Sequence, residues 1–187
     1  MELNAELASR ITSHLTARDN PPLVIMMCGI AGSGKTTTAK SILSAFPDTF
    51  TRLSIDDHIW THYGRYGIDY TPAEYESLQD KAEAALDVRL VELLKEGRNV
   101  VLDYSFWEKR DRERYRGVIE ECGGRALVVH LSVPKDVLRE RLEKRGRERF
   151  DADAAWVIDD KTLDTYWEGF QVPHGEGELV ISNFVEP

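Results

Sequence analysis

The sequence predicts an α/β fold of three layers, α/β/α, built on a five-stranded parallel sheet. Short apolar runs rich in Val, Ile and Leu alternate with longer amphipathic stretches, the pattern of a parallel sheet covered by helices on both faces. The first apolar run, Leu23 to Cys28, opens into Gly29-Ile30-Ala31-Gly32-Ser33-Gly34-Lys35-Thr36 and then into a helical pattern. That is the strand-turn-helix setting in which G-x-x-x-x-G-K-[ST] holds phosphate. The length of 187 residues, 42% of them hydrophobic, suffices to bury about 70% of the unfolded surface without staples.

Each element has a local reason. Asn4 is placed to cap a first amphipathic helix to about Ala17, and Asp19-Asn20-Pro21-Pro22 turns the chain into the strand Leu23 to Cys28. A helix from Lys35 to about Phe46 is stopped by Pro47. Phe50 to Ile55 reads as the second strand, with Asp56 and Asp57 at its carboxyl end. Thr71-Pro72-Ala73-Glu74 reads as a capping box with Pro at the first helical position. It opens a helix carrying Tyr75, Leu78, Ala82, Leu86, Leu90 and Leu93 on one side, closed by Gly97. Asn99 to Leu102 is a third strand ending in Asp103; Ser105 with Glu108 caps the next helix, which ends at Gly123-Gly124. Ala126 to Leu131 makes a fourth strand, and Pro134 starts a helix with the basic run Arg139, Arg141, Lys144, Arg145, Arg147 and Arg149. A further helix, about Asp153 to Phe170, presents Trp156, Val157, Leu163, Tyr166 and Phe170, and Leu179 to Ser182 is the last strand. With no repeat or low-complexity linker, residues 1–187 read as one domain, with an acceptor-pocket or lid insertion at about 57–71 and an arginine lid at about 139–150.

Composition narrows the function. Cys28 and Cys122 have no metal or redox spacing and read as small buried residues of a reducing compartment. No apolar run approaches the roughly 18 residues of a membrane span, and Met1 to Arg10 carries two Glu and no signal-peptide core. A cytoplasmic protein without membrane partners is expected. The net charge of −9 argues against nucleic acid and in favour of a small substrate.

The chemistry begins with the glycine-rich loop. Backbone N–H groups of Gly29, Ala31, Gly32, Ser33 and Gly34 can turn around a β-phosphate, with Thr37 following. Lys35 reaches the β- and γ-phosphates, and the Thr36 hydroxyl can ligate Mg²⁺. ATP and Mg²⁺ are therefore the expected cofactors. Ligands in such sheets lie at the carboxyl ends of the strands, where Asp56 and Asp103 also fall. Phosphoryl transfer to an alcohol needs a carboxylate for the hydroxyl proton and cations over the phosphate oxygens. Asp56 suits the first task and Asp57 is second, although an Asp pair after a strand also serves as a helix cap. Asp103 reads as an acid reaching Mg²⁺, as a ligand for acceptor hydroxyls, or as a cap beside Ser105. Arg141 and Arg145, four residues apart, share a helix face and could close over a triphosphate, whereas the Arg/Glu alternation around them suits a solvated helix. The aromatic-rich stretch from His58 to Tyr70 begins beside Asp56; Trp60, Tyr63 and Tyr66 line either an acceptor pocket or a core face. His58 and His62 have zinc-like spacing but no third ligand.

These residues, taken in order, resemble the P-loop kinases that include phage polynucleotide 5′-kinase, chloramphenicol phosphotransferase and the zeta toxins. The resemblance runs from Leu23 to about Ser182 and rests on the P-loop, on Ser54-Ile55-Asp56-Asp57, on the strand ending in Asp103, and on Arg141-Leu142-Glu143-Lys144-Arg145-Gly146. It implies the P-loop nucleoside triphosphate hydrolase fold with nucleoside- or adenylate-kinase-like strand order, the P-loop strand central. It also implies Asp56 as general base, Arg141 and Arg145 as ATP-contacting lid arginines, and an adenine near the turn after Gly175-Glu176-Gly177. Polynucleotide kinases carry an Arg three residues after the base; here that position is Ile59, which speaks against a phosphorylated acceptor. The expected function is an ATP-dependent phosphotransferase acting on a hydroxyl of a small molecule. The alternatives are a polynucleotide 5′-hydroxyl kinase and a non-catalytic ATP-binding switch.

Overall fold

The computed structural model describes residues 3–148, 152 and 158–184. Five parallel strands, β1 (Leu23–Cys28), β2 (Phe50–Leu53), β3 (Asn99–Leu102), β4 (Arg125–Ser132) and β5 (Leu179–Ser182), form one sheet in the order β2-β3-β1-β4-β5. The phosphate-loop strand β1 is thus central, paired through Val24↔Val100 on one side and Val24↔Ala126 on the other. Every β1 residue is buried, and period-two alternation splits them between the two faces. Val24, Met26 and Cys28 pack with Leu86, Leu90 and Leu93 of α4 (Tyr75–Lys95) and Ile119 of α5 (Lys109–Glu121). Leu23, Ile25 and Met27 pack with Leu7 and Ile11 of α1 (Ala5–Leu15) and Ile42 of α2 (Lys35–Ala45). Leu7 and Ile11 have no exposed surface, so α1 belongs to the core. No helix among the described residues is long and apolar enough to cross a membrane.

Several boundaries differ from the expected ones. Strand β2 ends at Leu53, because Ser54 caps a helix α3 (Ile55–Tyr63) by accepting from the Asp57 N–H. The aromatic stretch therefore begins as a helix. Helix α4 starts at Tyr75, not at Pro72. Residues Thr71 to Glu74 form a turn in which Thr71 donates to the Glu74 carboxylate through both its N–H and its hydroxyl, so the box forms in one direction only. Ser105 does not cap α5; the Lys109 N–H instead donates to Gln171 Oε1 at 2.8 Å. Helices α6 (Lys135–Glu148) and α7 (Asp160–Gly169) follow, and α7 starts at an Asp159 cap whose carboxylate accepts from the Thr162 N–H. Arg149, Trp156, Val157 and most of the expected 153–159 helical extension lie outside the described residues. Leu138, Leu142 and Leu163 join α6 to α7 and pack on Ile30 and Ala31 of the phosphate loop.

Candidate active site

The loop between β1 and α2 is held in shape by its neighbours. Gly32 and Gly34 have φ of +84° and +96°, a region that L side chains avoid. The Gly29 N–H donates to the Ser105 carbonyl at 3.0 Å. On the other flank Asn183, just after β5, donates its amide to the Ser33 carbonyl at 2.7 Å. Lys35 Nζ donates to the Gly29 and Ile30 carbonyls at 2.8 and 3.0 Å. Burial pushes its ammonium below the ordinary range, opposed by the negative charges of Asp103 and Asp56. Gly34 brings no side chain to cap α2, so the N–H groups of its first turn face an anion site with the helix dipole behind them. The buried Ser33 hydroxyl has no hydrogen-bond partner among the described residues. This cradle fits a nucleoside triphosphate.

A cleft of about 940 Å³ extends from the loop. It brings together Gly29, Ala31, Gly32, Gly34, Lys35, Thr36, Thr37, Asp56, Trp60, Asp103, Arg141 and Arg145 of the sequence-predicted residues. Ser33, also expected to hold phosphate, does not line the cleft, and its carbonyl accepts from Asn183. Arg141 donates to the Gly32 carbonyl at 3.3 Å and to the Asn183 carbonyl at 2.6 Å, so α6 is already clasped to the loop. Arg139, by contrast, reaches Asp160 of α7 at 2.8 Å on the outer surface.

The carboxylates separate by helix geometry. Asp56 and Asp57 occupy the first turn of α3, and successive helical residues point about 100° apart. Asp56 lines the cleft. Asp57, expected to contact the acceptor, turns to β2 and pairs with Arg52. Neither aspartate is the cap, since Ser54 fills that role. Arg52 also donates Nε and Nη2 to Asp103 Oδ2 at 2.9 and 2.6 Å. Asp103 is almost wholly buried, and its Oδ1 takes none of the described hydrogen bonds. With the Thr36 hydroxyl it offers hard oxygen donors of the kind Mg²⁺ prefers.

Tyr63, also expected in the acceptor pocket, packs against Ile59, Tyr70 and Ala82 instead. Tyr66 both joins that cluster and lines the cleft. His58 stacks on His62 at 4.0 Å between centroids, and no group of three metal-binding side chains occurs among the described residues. The Gly175-Glu176-Gly177 turn does not line the cleft. Its Glu176 carboxylate is held by Arg112 of α5 through two 2.8 Å bonds, because a guanidinium with 1% of its side chain exposed needs a full partner.

The turn from Asp103 to Trp107 links these parts. Beyond the Ser105 bond to Gly29, the Phe106 carbonyl accepts from Arg112 at 2.9 Å and from the Cys28 thiol at 3.2 Å. Burial pushes that thiol up to about 12. Phe106 holds φ at +43°, and the Trp107 carbonyl accepts from the Gln171 N–H at 2.9 Å. Sequence reasoning missed Arg52, Asn183 and Arg112, which carry no local pattern.

The family pattern described as AAA domain (AAA_33) matches residues 24–173, which span β1 to just past α7. The chain belongs to this family. Its membership agrees with the expected P-loop kinase resemblance and with the sheet order. Similar folds occur in a candidate kinase from Chloroflexus aurantiacus J-10-fl (19% identity, 87% of this chain and 85% of that one, TM-score 0.70). They occur in a gluconokinase from Sinorhizobium meliloti 1021 (21%, 91% and 86%, TM-score 0.55) and in Chaetomium thermophilum Kti12 bound to ADP-AlF3 (15%, 85% and 88%, TM-score 0.64). No curated protein matches the sequence.

Proposed function

We propose that this protein is a kinase that moves the γ-phosphoryl group of ATP to a hydroxyl of a small molecule. The observation that carries this reading is that one cleft is lined by both the triphosphate cradle and Asp56, while Ser54 takes the capping role and Arg52 takes Asp57. The acceptor hydroxyl gives its proton to the Asp56 carboxylate as its oxygen bonds to γ-phosphorus; the bond from γ-phosphorus to the β,γ-bridging oxygen breaks, and ADP leaves. Lys35, Arg141 and Arg145 line the cleft on the donor side, where they offset the charge spread over the phosphate oxygens. Thr36 and Asp103 would hold Mg²⁺, which supplies further neutralisation of the β- and γ-oxygens when bound. The single-domain reading, with acceptor contacts at about 57–71 and a lid at about 139–150, belongs to the same proposal.

The test is Asp56→Asn, with ATP binding and transfer from γ-labelled ATP measured separately. Retained ATP affinity with transfer lowered by about 10²- to 10⁴-fold is expected of a lost general base. An unchanged transfer rate would refute Asp56 as base. No transfer to any acceptor pool by the wild type, with ATP still bound, would point instead to a nucleotide-dependent switch.

A further inference from the structure

Charge is polarised along the cleft. Its described cationic lining, Lys35, Lys40, Arg141 and Arg145, comes from the loop-α2 segment and from α6, beside the phosphate cradle. The half formed by α3 and α4 is lined by Asp56, Glu76 and Gln79, and no Lys, Arg or His among the described residues lines the cleft from those two helices. An acceptor bearing a phosphate or carboxylate on that side would bring its own anion up to Asp56 and Glu76, which repel it.

The same half is walled by rings. One wall comes from α3 and the start of α4. In it Trp60 and Tyr66 line the cleft, and Tyr66 meets Tyr75 edge-on at 5.5 Å between centroids and Tyr70 edge-on at 5.9 Å. The other comes from the turn after β3 and from α7, where Trp107 meets Tyr166 edge-on at 6.1 Å with Phe170 beside them in the lining. The charge of Asp56 raises the phenols of Tyr70, Tyr75 and Tyr166, in each case after burial as the larger cause. One carboxylate is thus felt by rings of both walls, and it lines the same cleft. Edge-on packing ties each wall into the fold before a ligand arrives. Preorganised aromatic faces recognise flat apolar faces and reject chains that carry only polar groups.

We infer that the acceptor is a hydroxyl compound with no anionic group and with an aromatic ring that seats between the two walls, its hydroxyl presented to Asp56. This rests on the kinase reading for the reaction, but the pocket itself is separable from it.

A matched set of acceptors separates the two properties. An aryl glucoside differs from the corresponding methyl glucoside in the ring, and from the aryl glucuronide in having a hydroxymethyl group where the glucuronide has a carboxylate. Transfer from γ-labelled ATP and acceptor binding by calorimetry are measured on the wild-type protein, Tyr166→Ala, Trp60→Ala and Glu76→Lys. The aryl glucoside is expected to bind at least about tenfold more tightly than the methyl glucoside, the margin that ring stacking supplies. Either alanine variant should erase most of that margin while ATP affinity stays within about twofold. Glu76→Lys, on the exposed first turn of α4, should raise affinity for the glucuronide relative to the glucoside. Equal binding of aryl and methyl compounds, preference of the wild type for the glucuronide, or no binding of any of the three would overturn the inference. Binding of the aryl compound that is lost in the alanine variants, without transfer, would support the pocket and sink the kinase reading alone.

Discussion

Removing the guanidinium of Arg112 should be among the most destabilising single changes in this protein. Arg112 donates twice to Glu176 at 2.8 Å and once to the Phe106 carbonyl at 2.9 Å; 1% of its side chain is exposed, and 10% of that of Glu176. Arg112→Met keeps much of the volume but leaves a buried carboxylate and a buried carbonyl without their donor. Breaking a buried pair in this way costs about 3–5 kcal/mol. At roughly 2–4 °C per kcal/mol for a chain of this size, the melting temperature should fall by about 6–20 °C. Differential scanning fluorimetry reads it directly. Adding Glu176→Gln should recover part of the loss, since no charge then remains buried. The pH dependence gives an independent check. Hydrogen bonds from Arg112 hold the Glu176 carboxyl below its ordinary value of 4.5, so the stabilisation is present above that value and is lost as pH falls through the lowered one. The Arg112→Met variant should therefore lose less stability than the wild type on acidification below about pH 4.5. A fall of less than about 2 °C at neutral pH would refute the reasoning, because the ion pair would then contribute no more than an exposed one.

Further outcomes follow from the site. Gly34→Ala would force a side chain to adopt φ +96° and to meet the Asn183 amide that is bonded to Ser33; a loss of about 1–3 kcal/mol and ATP binding at least about tenfold weaker, by calorimetric titration, are expected. Arg52→Met strips the donor from Asp103 and Asp57 and should lower both melting temperature and turnover, whereas Arg52→Lys should regain much of the stability but not the full turnover, measured by scanning fluorimetry beside steady-state kinetics. His130 is buried with an Nδ1 that has no described partner, and burial, aided by Arg112, holds it below its ordinary 6.5. The unfolded chain then binds the extra proton, so stability is lost as pH falls below about 6.5; His130→Gln should flatten the change in melting temperature between about pH 7 and pH 5.5, and an unaltered slope would exclude this group as its source.

The architecture was legible because it is written locally. Alternating apolar runs give parallel strands, Gly97 and Gly123 end helices, and the glycine-lysine pattern fixes a phosphate loop whatever surrounds it. The site was half legible for the same reason. Asp56 could be singled out by its position after a strand, but its separation from Asp57 depends on the Ser54 cap, which rotates one carboxylate into the cleft and the other onto Arg52. Arg52 reaches Asp103 across 51 positions, Arg112 reaches Glu176 across 64, and Asn183 reaches Ser33 across 150. Such pairs arise from the winding of the sheet, and no periodicity announces them. Trp60, Tyr63 and Tyr66 share a spacing, yet α3 ends at Tyr63, so Tyr66 lies beyond the helix, while Tyr63 packs against Ile59, Tyr70 and Ala82.

The turn from Asp103 to Trp107 divides the protein into parts that can and cannot be varied independently. Its five residues answer to the phosphate loop through Ser105, to α5 and the Cys28 thiol through Phe106, and to the segment after α7 through Trp107. A library spread over Trp60, Glu76 and Gln79, which line the cleft from α3 and α4, therefore leaves every one of those bonds intact. The same library placed on the turn would test four sets of contacts with every substitution, and few clones would keep all of them. New acceptor preferences should thus arise by drift in α3 and α4, around a turn that stays fixed.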